Sequence, residues 1–217
     1  MGAEIPKQYL SLHGKSILEH TLQRLCDHPA IVGAVVVLAR DDPWWRQVRI
    51  ETCKPVRLAV GGTERCHSVL SGIELLAEQA DADDWVLVHD AVRPCLRLTD
   101  LDRLIAALAT HPVGGLLGLP VRDTMKRADG RGAIAETINR EGLWHALTPQ
   151  MFRLCALEHA LRACIEQGML VTDEAQAMEL TGSVPRMVEG SADNIKITRP
   201  ADLVLAELFL ATQGARR

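Results

Sequence analysis

The stretch WVLVHDAVRP, residues 85–94, decides the fold. Trp85-Val86-Leu87-Val88 is a continuous apolar run that gives way abruptly to His89, Asp90 and Arg93. A strand with no polar alternation has both faces covered, as in a parallel sheet packed between helices. Ala34–Leu38 (AVVVL) and Val56–Val60 (VRLAV) read the same way, and Gly115–Leu119 (GLLGL) is a glycine-richer version. These runs set four expected strands.

Between them lie segments with helical spacing. Ser16-Ile17-Leu18-Glu19 has the pattern of a capping box, with Leu18, Leu22 and Leu25 following on one face. Glu64–Gln79 carries Val69, Leu70, Ile73 and Leu76 on its apolar side. Thr99 to Asp102 repeats the cap pattern ahead of Leu104, Ile105 and Leu108. Phe152–Gln167 and Asp173–Leu180 read as helices, and Pro200 suits the first position of a helix through Leu210. Alternating strands and helices predict an α/β fold, a Rossmann-like, mostly parallel open sheet with right-handed crossovers. The 217 residues fit a single domain spanning 1–217.

One segment breaks the rhythm. Residues 120–143 are polar, with Arg122, Asp123, Lys126, Arg127, Asp129 and Arg131, and Asp129-Gly130 is a hairpin signal. The expectation is a β-arm leaving the sheet, the alternative a disordered loop. A lone hairpin is barely stable in water, so packing on a second subunit would supply what the arm lacks.

The formal net charge of −4 argues against a general nucleic-acid binder, but leaves room for a local basic pocket. The cysteines at 26, 53, 66, 95, 155 and 164 form no C-x-x-C pair and no zinc-ligand spacing, so free thiols in a reducing compartment are expected. No apolar run approaches the roughly 20 residues needed to span a bilayer, and no signal peptide is read at the start. A soluble cytoplasmic protein is expected.

In open α/β sheets, ligands bind beyond the carboxyl ends of the strands. After Val60 comes Gly61-Gly62-Thr63-Glu64-Arg65, where paired glycines allow close backbone approach at a helix N-terminus. Gly-Gly before a helix is often a plain turn. After Val88, Asp90 faces the crevice and could orient a hydroxyl or a magnesium ion, while Arg93 offers a fork for phosphate. The alternative is a turn with a local Asp–Arg pair. Asp193–Thr198 (DNIKIT) reads as a short strand that brings Asp193 and Lys196 to the sheet's end, although a surface lysine is the commoner outcome. His13, His20, His28, His67, His111, His145 and His159 form no ligand grouping. No G-x-S-x-G elbow and no complete G-x-x-x-x-G-K-[ST] or G-x-G-x-x-G motif occurs. Basic residues gathered from several loops, with no protein nucleophile, suggest phosphoryl or nucleotidyl transfer by positioning and charge stabilisation.

The ordered set PKQYL (6–10), GGTER (61–65), VHDAVRP (88–94), PVRDTMK (120–126), NREGLWHALTPQ (139–150), TDEA (172–175) and DNIKITRP (193–200) is specific. Across almost its whole length the chain resembles the 2-C-methyl-D-erythritol 4-phosphate cytidylyltransferases of the non-mevalonate isoprenoid pathway. The resemblance implies transfer of CMP from CTP to methylerythritol phosphate with release of pyrophosphate. It implies Mg²⁺ as cofactor, held mostly by phosphates and at most weakly by Asp90. Lys7 matches the lysine that stabilises charge at the α-phosphate, and Gly61, Gly62, Arg65 and Ser68 match the cytosine and ribose region. Asp90, Arg93, Thr148, Thr172 and Lys196 match the substrate side of the crevice. Asp90 also borders the CTP region. Thr124 and Arg140 match residues of an arm that enters the partner's site in a homodimer, and Arg140 with Lys196 would position the attacking phosphate.

Family members usually open with a strand and a glycine-rich loop of the form P-A-A-G-x-G-x-R-M, whose Met matches Met1. That implies little or no turnover by the 217 residues as written, because a charge donor beside Lys7 is missing from them. Two other readings are a cytidylyltransferase for another polyol phosphate, such as ribitol 5-phosphate, and an impaired relative acting as a binding or dimerising protein. The TMK, LTPQ and DNIKITRP segments favour methylerythritol phosphate.

Overall fold

In a computed structural model the structure describes residues 5–214. The match of Met1 to the family pattern therefore lies outside the described residues. The chain enters through a 3₁₀ turn, Lys7–Tyr9, and a minimal ribbon of β1 (Ser11–Leu12) and β2 (Lys15–Ser16). Helix α1 (Ile17–Cys26) starts on the expected capping box: Ser16 Oγ accepts from the Glu19 N–H, and the Glu19 carboxylate accepts from the Ser16 N–H.

Strands β3 (Ala34–Leu38) and β4 (Val56–Val60) pair in parallel, from Ala34 opposite Val56 to Leu38 opposite Val60. Val36 packs on Leu18 and Leu22 of α1. Next come α2 (Arg65–Ala77), β5 (Trp85–Val88), α3 (Leu98–Leu108) and β6 (Gly114–Pro120). The hairpin of β7 (Met125–Ala128) and β8 (Ile134–Ile138) is a two-stranded sheet of its own, closed by bonds between Asp129 and Ala133. Then follow β9 (Trp144–Arg153), α4 (Leu154–Glu166), α5 (Glu174–Leu180), β10 (Arg186–Glu189) and α6 (Pro200–Gly214).

The larger sheet has the order β10-β6-β9-β5. β10 runs parallel to β6, and β9 is antiparallel to both its neighbours, so β5, β6 and β10 share one direction. Both faces are covered, as the apolar strands required. Val86, Leu116 and Phe152 face a core with Ile73 of α2, Leu157 and Leu161 of α4, and Met178 of α5. Their neighbours Leu117 and Met151 face the other way, against Leu104 and Leu108 of α3. Each fully buried Leu contributes about 1.5–3 kcal/mol.

Three expectations about elements are corrected. The helix expected from Phe152 begins at Leu154, because the ten residues Trp144–Arg153 are the long strand β9. The buried Gln150 in this strand hides its core character, and Pro149 reads as a strand breaker. Thr99 does not cap α3. Asp100, buried in the first turn, instead accepts from the Ser191 N–H and Oγ and pairs with Arg103. Residues 193–198 form no strand: one backbone bond, Ile197 N–H to Val92 O at 2.9 Å, ties them to the 89–94 turn, and side chains hold the rest.

Candidate functional site

The candidate site is built on the loops that follow β4 and β5. Beyond Val60, the Gly61 N–H donates to Leu38 O at 2.7 Å, which carries the β3–β4 pairing one residue further. At Gly62 the glycine is required by space: a Cβ there would collide with Cβ of His67. The Gly62 N–H donates to Ser68 Oγ at 3.1 Å, and Ser68 Oγ donates to Glu64 O at 3.2 Å. Ser68 therefore shapes the glycine loop from the first turn of α2. No side chain caps that helix, so its leading amides are open to a ligand.

Arg65 reaches across to Glu174 at the start of α5, with Nη1–Oε1 at 2.6 Å and Nη2–Oε2 at 3.0 Å. Glu174 is 0% exposed. Burial pushes its carboxyl above the usual range despite the pull of Arg65, while the pair holds Arg65 charged. The fork of Arg65 is thus spent on Glu174, and the residue bears on the crevice by fixing α2 to α5. Asp173 caps α5 through the Gln176 N–H and accepts from Gln150 Nε2 at 2.9 Å, while Gln150 Oε1 accepts from the Ala175 N–H at 2.8 Å. Thr172 is exposed beside this knot and bonds Gln176 Oε1.

Beyond Val88, Asp90 Oδ2 accepts from Arg93 Nε at 3.1 Å and from Lys196 Nζ at 3.1 Å. Burial alone would raise the Asp90 carboxyl. Lys196 and Arg93 outweigh it and hold the group below its usual range. Arg93 is buried and also donates through Nη1 to Asn194 O at 2.8 Å. Asn194 Nδ2 donates to Thr148 O at 2.8 Å. Asp193 Oδ1 and Asn194 Oδ1 are buried without a hydrogen-bond partner among the described residues. Leaving such buried atoms unsatisfied is costly.

Asp90, Arg93, Thr148 and Lys196, 106 positions apart at the extremes, are therefore brought into one network. Lys7, Thr124 and Arg140 are not joined to it by any hydrogen bond or ion pair among the described residues. Lys7 is exposed on its 3₁₀ turn, which Tyr9 anchors by a 2.9 Å bond to Asp42 and by stacking on Trp44. Thr124 and Arg140 flank the β7–β8 hairpin and are exposed. Neither Lys7 nor Arg140 has a carboxylate partner among the described residues, which leaves two cations uncompensated. Sequence reasoning passed over His89, Gln150, Glu174 and Asn194. All four sit beside or inside the quoted motifs, and that adjacency was the only signal they carried.

The residues do not build a cage for Mg²⁺. Among the described residues no group of three or more His, Cys, Asp or Glu could hold a metal ion, and Asp90 Oδ2 already faces two cations. A hard cation with one carboxylate at most takes its remaining ligands from phosphates and water.

A family model described as IspD, 2-C-methyl-D-erythritol 4-phosphate cytidylyltransferase, matches residues 1–212. A relative of that name from Ectopseudomonas mendocina is 56% identical over 204 residues, covering 94% of this chain and 87% of its own. One from Vibrio vulnificus is 48% identical over 217 residues, covering 100% of this chain and 92% of its own. The crystal structure of the Francisella tularensis protein of the same name superposes with a TM-score of 0.85 at 35% identity, covering 95% of this chain and 94% of that one. The chain belongs to the 2-C-methyl-D-erythritol 4-phosphate cytidylyltransferase family.

Proposed function

We infer that this chain transfers CMP from CTP to the phosphate of 2-C-methyl-D-erythritol 4-phosphate in isoprenoid precursor biosynthesis. A phosphate oxygen of the acceptor attacks the α-phosphorus of CTP. The new P–O bond forms as the bond from that phosphorus to the bridging oxygen breaks, and pyrophosphate leaves with the electron pair. The nucleophile is already anionic at neutral pH, so no strong base is needed. The barrier lies in bringing two anions together, and fixed cations lower it.

The observation that carries this reading is the convergence of Lys196 and Arg93 on Asp90 beyond the end of β5, with no Ser or Cys among the three. Lys7 and Arg140 are exposed cations without a carboxylate partner among the described residues. In this assignment Lys7 stabilises charge at the α-phosphate. Gly61, Gly62 and Ser68 form the wall against cytosine and ribose, and Arg65 braces that wall from behind. Lys196 and Arg140 position the attacking phosphate, with Arg93, Asp90, Thr148 and Thr172 around the acceptor. Backbone carbonyls in the glycine loop suit recognition of the cytosine amine, because a site with committed polar groups rejects mismatches well. When bound, Mg²⁺ would be held mostly by phosphate oxygens, with Asp90 at most a weak ligand, and would neutralise part of the triphosphate charge.

The enzyme works as a homodimer in which the hairpin carries Thr124 and Arg140 toward the partner's crevice. The exposure of Arg127, Glu136 and Ile134 on that two-stranded sheet supports this, since such a hairpin is marginal alone. The cytoplasm is the proposed compartment: the cysteines are free thiols, which suits a reducing environment. No helix among the described residues is long and apolar enough to cross a membrane.

The test is an acceptor panel with CTP and Mg²⁺, scored by pyrophosphate release. Whatever turnover the 217 residues support is expected with methylerythritol phosphate and not with ribitol 5-phosphate, and preference for ribitol phosphate overturns the choice of acceptor. Calorimetry with CTP and Mg²⁺ reads the nucleotide half of the proposal independently of turnover.

A further inference from the structure

His89 immediately precedes Asp90 and bonds to Arg93 O and Thr148 Oγ1, and the direction of each bond is determined by chemistry. Its Nε2 is 3.1 Å from Arg93 O. A carbonyl only accepts, so Nε2 carries the proton. In the neutral ring Nδ1 is then a bare acceptor, and Thr148 Oγ1, 2.9 Å away, donates to it. The same Thr148 oxygen accepts the Asp90 N–H at 3.0 Å. The chain of bonds thus runs from the Asp90 amide through the Thr148 hydroxyl and the His89 ring to the Arg93 carbonyl. It closes a loop whose two ends carry Asp90, which meets Lys196, and Arg93, which pairs with Asp90.

We propose that His89, as its neutral Nε2–H tautomer, is a positioning residue for the acceptor phosphate, holding the Arg93 backbone directly and the Asp90 backbone through Thr148 so that the Asp90 carboxylate meets both Arg93 and Lys196. This rests on the function inferred above. His89 itself touches no substrate. Thr148 is 5% exposed and its proton is committed to His89, so it acts through the same relay. Asn194 ties the far side of the network to the Thr148 carbonyl, which couples the Lys196 segment to the same strand. The groups facing the ring and its relay are Asp90 and Arg93 from its own turn and Lys196 from the 193–198 segment. Burial lowers the ring's pKa to about 4, opposed by the Arg93 carbonyl bond, the Asp90 charge and the Thr148 bond and assisted by the Arg93 charge.

Two measurements test this on the full chain. Long-range ¹H–¹⁵N spectra of ¹⁵N-histidine-labelled protein report the tautomer without any substrate. A single His89 species protonated at Nε2 across pH 6 to 8 is expected, and an Nδ1–H tautomer or an ordinary titration near pH 6.5 overturns the proposal. The second measurement is affinity for methylerythritol phosphate in His89→Gln, Thr148→Val and the double variant, with Thr148→Ser as the conservative control. His89→Gln keeps the donor toward Arg93 O and removes the acceptor for Thr148. Each single variant should weaken acceptor binding about five- to tenfold, with CTP binding unchanged. The double variant should be no weaker than either single, and Thr148→Ser should bind like the wild type. Additive effects, or an equal loss of CTP affinity, overturn the relay. A wild type that prefers ribitol 5-phosphate sinks the functional reading alone. The same variants are then compared on that acceptor, and an unchanged affinity in His89→Gln overturns the proposal there too.

Discussion

Arg65 and Glu174 meet through two parallel bonds of 2.6 and 3.0 Å although 109 positions separate them in sequence. The pair fastens the first turn of α2, which follows the glycine loop, to the first turn of α5, which follows Thr172. It is the rigid brace between the two sides of the crevice. Removing one partner of a buried pair leaves an uncompensated charge, which is far worse than losing both.

Arg65→Ala should therefore destabilise the fold by about 3–5 kcal/mol, and Arg65→Ala with Glu174→Gln should recover part of that loss. Urea unfolding of the two variants checks the order. Equal stability of the single and double variants would show that Glu174 finds another partner.

His89 predicts a specific pH dependence. Its ordinary value is 6.5, and burial lowers it to about 4 in the folded chain. Between those values the unfolded chain binds a proton that the folded chain does not. Stability is thus fully present above pH 6.5 and is lost as pH falls toward 4, by ~3 kcal/mol in all. His89→Gln should flatten that part of the stability–pH curve, as read by chemical denaturation at stepped pH.

Gly62→Ala places a methyl group against the His67 Cβ, which is anchored to its own backbone and has no room to swing away. The loop must shift, and the Gly62 N–H bond to Ser68 goes with it. CTP affinity should fall about tenfold by calorimetry, consistent with an overpacking cost of about 1–3 kcal/mol. Acceptor binding should be little changed.

Lys196→Met removes one of the two cations on Asp90 Oδ2 and leaves Arg93 in place. The Asp90 carboxyl should rise toward its usual range. Acceptor KM should increase about ten- to a hundredfold, the worth of one charge-assisted bond. Lys196→Arg should recover part of the loss by keeping the charge.

The exposed hairpin predicts an assembly. Light scattering at micromolar concentration should give twice the chain mass, and a chain lacking residues 125–138 should give the monomer mass. A monomer in the intact protein would sink the dimer.

Local patterns carried most of the architecture. The apolar runs at Ala34, Val56 and Trp85 became strands within one residue of their expected ends, and Ser16 with Glu19 closed the capping box their spacing requires. Such features depend on near neighbours, so composition and periodicity reveal them. The dependence of β9 on a buried Gln150 was not legible because its cause lies elsewhere in the chain. Gln150 reads as a surface residue until Asp173 and the Ala175 amide are placed beside it.

The sequence by itself determined the fold class and where strands end in loops, because strand ends and glycine turns are local choices of backbone. Only the tertiary structure decided how those residues divide their work. It committed Arg65 to Glu174, set Lys196 and Arg93 on one oxygen of Asp90, and gave His89 a single tautomer. Each outcome depends on which donor meets which acceptor across long stretches of chain, and buried polar groups must be satisfied by whatever the fold brings to them.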